Sequence, residues 1–288
     1  MSGNALILYN DVVQAMALTA SSQAVDDLGD ALEAANLQLE DLGSLWRATG
    51  KAAEWVRGVA PAPVAADTFF LIGHNMTQAA EYDLKLYSDA AFTTLAYEET
   101  GLVWKAVYGI GEATMEESTI GGLPVRSALD EEAPRRLIRL AAPVTFQAFE
   151  LSLRDGANAD GYVQLAVFIA GVGSQPGFNF ELGAEFGVGA DDEVETLGRG
   201  ALWVRRGASW GEHRVTFADL SKSEADGFVF DFMRRVRRSK PFLFVAYPEG
   251  RLEEWRTTLY CVLTADPRRT KRDQDNYAIE LSMREIVG

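Results

Sequence analysis

Hydrophobic and polar positions alternate in short runs along most of the chain, which predicts a mainly β protein. The clearest run is Tyr82–Tyr87, where Tyr82, Leu84 and Leu86 alternate with Asp83, Lys85 and Tyr87, the period of a half-buried strand. Ala5–Tyr9, Glu54–Arg57, Thr68–Ile72, Leu102–Tyr108, Val144–Leu153 and Tyr162–Ala170 predict further strands, separated by turn residues. The last two read as a hairpin whose loop, around Asp155-Gly156, is too long for a two-residue turn. Asp26–Leu45 reads as a loop-rich wrap, because Gly29 and Gly43 interrupt irregularly spaced leucines. The acidic, Gly/Pro-punctuated stretch 109–134 predicts a long loop or insertion.

Residues Gly171–Gly177 have the Gly/Ser/Pro composition of a linker, so the pattern predicts two domains, 1–173 and 174–288. Phe178–Leu182, Ala201–Arg205 and Glu212–Phe217 predict the next strands, while Gly183–Gly189 reads as a flexible glycine-rich loop. One helix then stands out near 221–238. Ser221 followed by Glu224 is a capping box, and Phe228, Phe232 and Val236 recur at helical spacing. Arg234, Arg235, Arg237 and Arg238 fill the expected last turns, where cations suit the helix dipole, and Pro241 follows. Phe242–Ala246, Arg256–Leu263 and Tyr277–Leu281 complete a sheet with one covering helix. Arg268–Arg272 reads as an exposed hairpin loop.

Composition adds an asymmetry. The chain has 288 residues and a formal charge of −15. Residues 1–173 hold 23 acids and 10 bases, a net of −13, whereas 174–288 hold 19 acids and 17 bases, a net of −2. Such an acidic half repels phosphate backbones and anionic membranes, so neither nucleic acid nor membrane is an expected partner. The acidic surface serves solubility or complements a basic neighbour. Cys261 is the one cysteine, which leaves no intrachain disulfide, and its apolar run predicts a core position. The N-terminus lacks the basic start of a signal peptide and no apolar run is long enough for a membrane span, which points to assembly in the cytosol.

Catalytic chemistry is not legible. The two histidines, His74 and His213, have no carboxylate or cysteine at metal-ligand spacing, and no phosphate loop, nucleophile elbow or zinc-protease motif occurs. Adjacent carboxylates such as Glu98/Glu99 and Glu253/Glu254 are expected by chance in so acidic a chain. Asp191, Asp192, Glu193 and Glu195 lack the ligand spacing of an EF-hand. No catalytic residue, cofactor or metal is therefore assigned, and an enzyme is not expected.

Residues 44–90 are the most distinctive. Ser44-Leu-Trp-Arg-Ala-Thr49 precedes Ala53-Glu-Trp-Val56, then Phe69-Phe-Leu-Ile-Gly-His-Asn-Met76 and Tyr82-Asp-Leu-Lys-Leu-Tyr-Ser-Asp89. Physically these are a Trp-anchored strand, a short edge strand, a buried strand ending in a polar corner, and an alternating strand. Trp46, Arg47, Trp55, Gly73, His74 and Asn75 are its fold-defining residues, with His74 and Asn75 placed to bond turn backbone. The order resembles the discoidin-like (galactose-binding-like) jelly roll found in phage structural proteins. It departs from that pattern at Val59–Ala66, where an acidic-leucine-glycine strand is usual. The second region is similar in pattern to ring domains of siphophage distal tail and tail-tube proteins, through Trp203, Trp210, the Phe217–Ser221 helix entry, Pro241 and Glu285-Ile286.

The resemblance implies a non-catalytic phage tail-tip protein in the virion. Its expected partners are its own copies in a ring, with Arg234, Arg235, Arg237 and Arg238 at a subunit interface, and other tail proteins (tube and hub). Two alternatives stay open: a carbohydrate- or receptor-binding virion module, and a capsid decoration protein.

Overall fold

The computed structural model describes residues 3–108, 122–123, 134–196 and 201–287. Most of the expected insertion at 109–134 thus lies outside the described residues. The chain is mainly β and divides into two compact units, one formed by Asn10–Gly173 and the other by Ser174–Val287 together with the residues up to Tyr9. The units part between Gly173 and Ser174, and the N-terminal residues up to Tyr9 fall with the second unit. Leu6–Leu8 (β1) is an apolar triplet, fully buried, and pairs antiparallel with Phe242–Val245, Ile7 facing Phe244. Ser174 closes the other side of β1 by exchanging both backbone hydrogen bonds with Ile7. In chain order, therefore, the first unit is inserted between β1 and the rest of its sheet.

The inserted unit is built on Ala17–Ala20 (β2), Glu54–Ile72 (β3), Glu81–Tyr87 (β4), Leu95–Leu102 (β5), Arg135–Arg154 (β6) and Val167–Gly171 (β7). The sheet order is β7-β3-β6-β4-β5, with β2 also on β3. Strands β3 and β6 are 19 and 20 residues long and share one antiparallel ladder. Its register shifts between Val59 and Val64 and again between Ala66 and Thr68, marking irregularities that let a long ladder bend. The first half of β3 pairs with β2, the second with β7. Inside lie Trp46, Val56, Phe69, Leu71, Leu84, Leu86, Phe146, Phe149, Leu151 and Phe168, one hydrophobic core.

Three expectations change here. Glu54–Arg57 and Thr68–Ile72 are ends of one strand, so Val59–Ala66 belongs to the sheet. The expected hairpin of Val144–Leu153 with Tyr162–Ala170 does not form: β7 pairs with Thr68–Ile72, Phe168 facing Leu71. Apolar strands of equal character can pair in several ways, and burial of both faces of Val167–Gly171 decides this one. The strand expected at Leu102–Tyr108 lies earlier, at β5, a polar edge strand without an apolar stripe. Val103, Trp104 and Val107 are buried as irregular chain instead.

The second unit adds Glu185–Ala190 (β8), Glu193–Thr196 (β9), Leu202–Arg205 (β10), Ser209–Ser221 (β11), Phe242–Val245 (β12), Thr258–Leu263 (β13), Arg268–Lys271 (β14) and Asn276–Glu285 (β15). Its seven-stranded sheet runs β1-β12-β13-β15-β11-β8, with β14 on β15. Arg268–Lys271 is thus a strand where a loop was expected. So is Glu185–Ala190: Gly189 sits where a Cβ would come within 2.3 Å of the Trp210 indole, so the glycine makes room for an aromatic neighbour. Phe178–Leu182, in contrast, is not a strand.

The helical segment follows the sequence closely. Ser221 caps Lys222–Glu224 (α1) through a complete capping box. A π-helical stretch, Ala225–Val229, is broken at Gly227 and leads into Phe230–Val236 (α2). Val229, Phe232 and Val236 pack on Val215, Phe217, Phe242 and Phe244 of the sheet. A short helix, Leu252–Thr257 (α3), precedes β13. The helix ends at Val236, so Arg237 and Arg238 lie just past it rather than in its last turn.

Candidate functional site

Trp46 is completely buried, and its indole N–H donates to the Ser22 carbonyl at 3.0 Å. Next to it in sequence, Arg47 donates from Nε and Nη2 to Gln164 Oε1 at 3.2 and 3.0 Å and lies 4.3 Å over the Tyr162 ring. Asn75 reaches the same segment from the other side. Its Nδ2 donates to Asp160 and to the Tyr162 carbonyl, and its Oδ1 accepts the Gln164 N–H at 2.9 Å. Asp155 accepts the Thr77 N–H and hydroxyl, both at 2.6 Å. Arg47 and Asn75 are therefore joined through residues 160–164, a segment whose polar groups are largely consumed by the protein itself.

Gly73 and His74 shape the corner. Gly73 has φ +75°, in the left-handed region, and a Cβ there would meet the Ala166 Cβ at 2.6 Å. His74 is buried; its Nδ1 accepts the Met76 N–H at 3.3 Å. Burial pushes its pKa down to about 3, so the ring is neutral at pH 7. Trp55 stands apart from these five. It is half-buried on β3, and the Arg57 guanidinium lies 4.4 Å from its ring and 5.0 Å from that of Phe92. Arg57 is bonded to Glu150 at 2.6 Å. Phe92 itself holds φ +59° inside a loop whose backbone N–H groups at 91, 93 and 94 all bond Asp89. Sequence reasoning passed over Arg57, Phe92 and Glu150, because only the sheet register places Arg57 opposite Glu150.

A second surface is assembled in the other unit. Strands β9 and β10 form a two-stranded ribbon on their own, continuing from β8 and β11. At its root, Asp191 N–H bonds the Ala208 carbonyl and Asp192 accepts the Gly207 N–H at 2.9 Å. Directly opposite residues share a face. Val194 faces Val204 and Thr196 faces Leu202, while on the other face Glu193 meets Arg205 and Glu195 meets Trp203. The ribbon thus has one apolar face, and that face is uncovered: Val194, Leu202 and Val204 are 60, 66 and 54% exposed. None of them joins the hydrophobic core of the unit.

The four arginines singled out in the sequence are all exposed at the end of α2. Arg235 pairs with Asp231 at 2.9 Å, and Arg234 lies 5.8 Å over the ring of Phe230, itself 47% exposed. Arg237 closes the helix with φ +49°. Acid–base or metal chemistry does not converge on either surface. Among the described residues no group of three or more His, Cys, Asp or Glu is placed to hold a metal, and no helix is long and apolar enough to cross a membrane. Cys261 is buried, which pushes its thiol pKa well up.

No protein-family model matches the chain, and no curated protein matches it. Solved structures similar to it include a CBM32 module from Clostridium perfringens in complex with GalNAc-β-1,3-galactose, at 12% identity, TM-score 0.38, covering 56% of this chain and 99% of that one. A chitosan-binding module from a Paenibacillus chitosanase/glucanase, with chitotriose, gives 12% identity, TM-score 0.37, and coverage of 56% and 98%. A Ruminococcus gnavus GH29 fucosidase with fucose gives 13% identity, TM-score 0.36, and coverage of 57% and 27%.

Proposed function

We propose that the chain is a non-catalytic structural subunit of a phage tail tip that assembles with its own copies into a ring, the inserted jelly roll being an appended module. The observation that supports assembly is the β9–β10 ribbon. Its three exposed aliphatic side chains lie outside the hydrophobic core formed by the described residues. A two-stranded ribbon is marginal alone in water, so a partner surface is the natural source of its stability. The tail setting rests on the resemblance of Trp46-Arg47 and Gly73-His74-Asn75 to phage jelly rolls and of the second unit to tail ring domains. Immunogold labelling of the assembled particle tests it: label at the tail end is expected, and label over the capsid overturns it in favour of a decoration protein.

A second reading, carbohydrate or receptor binding, is favoured by the Trp55–Arg57–Phe92 stack beside Glu150 on the jelly roll. Half-exposed aromatic rings next to a carboxylate offer a stacking surface and hydrogen-bond acceptors for a sugar ring. Glycan binding by the full chain that is lost in Trp55→Ala supports this reading; binding unchanged by Trp55→Ala removes it.

A further inference from the structure

The ribbon offers an apolar face, and the second unit also presents exposed apolar and basic side chains along α2 and just past it. Phe230, the first residue of α2, is 47% exposed with the Arg234 guanidinium 5.8 Å from its ring centroid, and Arg234, Arg237 and Arg238 are themselves exposed. The ribbon and its root carry Asp191, Asp192, Glu193 and Glu195 against Arg205, which pairs with Glu193, and Arg206; residues 234 to 240 carry five bases and no acid. These two surfaces are complementary in charge and alike in carrying uncovered apolar side chains.

Resting on the assembly reading above, we infer that the β9–β10 ribbon of one copy seats on the exposed side of α2 of a second copy of this chain. Val194, Leu202 and Val204 pack against the partner's Phe230, and Asp191 and Asp192 at the ribbon root face the arginine cluster. Edge-to-edge pairing of two β9 strands is disfavoured, because it would bring Glu193 and Glu195 of the two copies together; stacking of two apolar faces is what a Leu202→Cys homodimer would report. Ribbon and helix are different surfaces, so the contact is head-to-tail: each copy gives one and accepts one, which closes a ring or grows a filament. Three aliphatic side chains and one ring bury far less than the roughly 1,200 Å² of a stable pairwise interface. A single contact is therefore weak, and closure into a ring, where every copy is held twice, stabilises the assembly. Salt screens the charged part of the contact.

Full-length Leu202→Cys copies mixed with full-length Phe230→Cys copies test this directly, since both positions are exposed and native Cys261 is buried. A bis-maleimide cross-linker is expected to give a mixed dimer at least about five-fold above either variant alone, and less of it in 1 M salt. Adding Arg237→Glu and Arg238→Glu to the Phe230→Cys copy should reduce that yield by about ten-fold, roughly one lost charge-assisted contact. Asp191→Lys and Asp192→Lys in the Leu202→Cys copy should restore it. A Leu202→Cys homodimer of equal yield would mean ribbon–ribbon pairing and overturn the inference. Oligomers seen by mass photometry without the mixed cross-link would overturn the contact and leave self-assembly standing. Monomers at every concentration, without cross-link, would overturn both.

Discussion

Trp104 stands edge-on to His74, their ring centroids 5.3 Å apart and their planes at 79°. Both side chains hold the same residue. The indole N–H donates to the Met76 carbonyl at 2.8 Å, while His74 Nδ1 accepts the Met76 N–H. The Gly-His-Asn corner is thereby closed by a tryptophan nearly thirty positions downstream, and the imidazole is kept neutral in an apolar wall.

That neutrality makes stability depend on pH. The folded-state pKa of about 3 is below the ordinary 6.5, so the unfolded chain binds a proton that the folded one refuses. The contribution is full above pH 6.5 and is lost progressively as pH falls toward 3. Between pH 7 and pH 5 the expected loss is roughly 2 kcal/mol. Urea melts at both pH values check it against His74→Gln, which should flatten this part of the dependence; an unchanged slope would contradict the assignment.

Gly73 and Gly161 separate two costs of adding a methyl group. Both have positive φ, +75° and +83°, but only at Gly73 does a Cβ meet a neighbour closer than 4 Å. Gly161→Ala should cost about 1–2 kcal/mol for the left-handed backbone alone. Gly73→Ala should cost a further 1–3 kcal/mol, approximately, for the collision with Ala166. Chemical denaturation of the two variants side by side decides it.

Two tryptophans from the same motif should behave differently. Trp46→Phe strips the half-buried Ser22 carbonyl of its indole donor and shrinks a fully buried ring, and is expected to cost about 1–3 kcal/mol. Trp55→Phe, on the half-exposed face, loses mainly part of a cation–π contact and should stay within about 1 kcal/mol of wild type. Equal losses in thermal melts would show that Trp55 is as structural as Trp46.

The capping box at Ser221 carries a fourth expectation. Ser221→Ala should destabilise the second unit by about 1 kcal/mol, measured by urea melts and far-UV circular dichroism. Glu224 also accepts the Gly177 N–H at 2.6 Å. Burial pushes the Glu224 pKa up, but its bonds to the Ser221 hydroxyl and to the Gly177 and Ser221 N–H groups outweigh this and leave it lowered. Stability from that carboxylate is present above its ordinary pKa and fades as pH falls through the lowered one.

Local signals in the sequence were read correctly where the cause is local. The alternation of Tyr82–Tyr87 is set by which side chains point into the core, and that strand forms as expected. Ser221, Glu224, Phe232 and Val236 lie within a few turns of each other and specify their own helix. The β9–β10 ribbon escaped notice as a unit, because Asp191–Glu195 looks like solvated loop until Leu202–Arg205 is laid opposite.

By itself, the sequence determined that the chain is mainly β and that one capped helix covers the second sheet. These follow from periodicity, turn residues and capping, all properties of neighbours along the chain. Tertiary structure decided which strands meet. Leu6–Leu8 joins a partner more than two hundred residues away, and Val167–Gly171 joins Thr68–Ile72 rather than the strand before it. An apolar strand records that it must be covered on both faces and paired along both edges, and many partners satisfy that equally. Only the simultaneous burial of every such strand selects one pairing, and with it the place of Trp55, the arginine cluster and the uncovered ribbon.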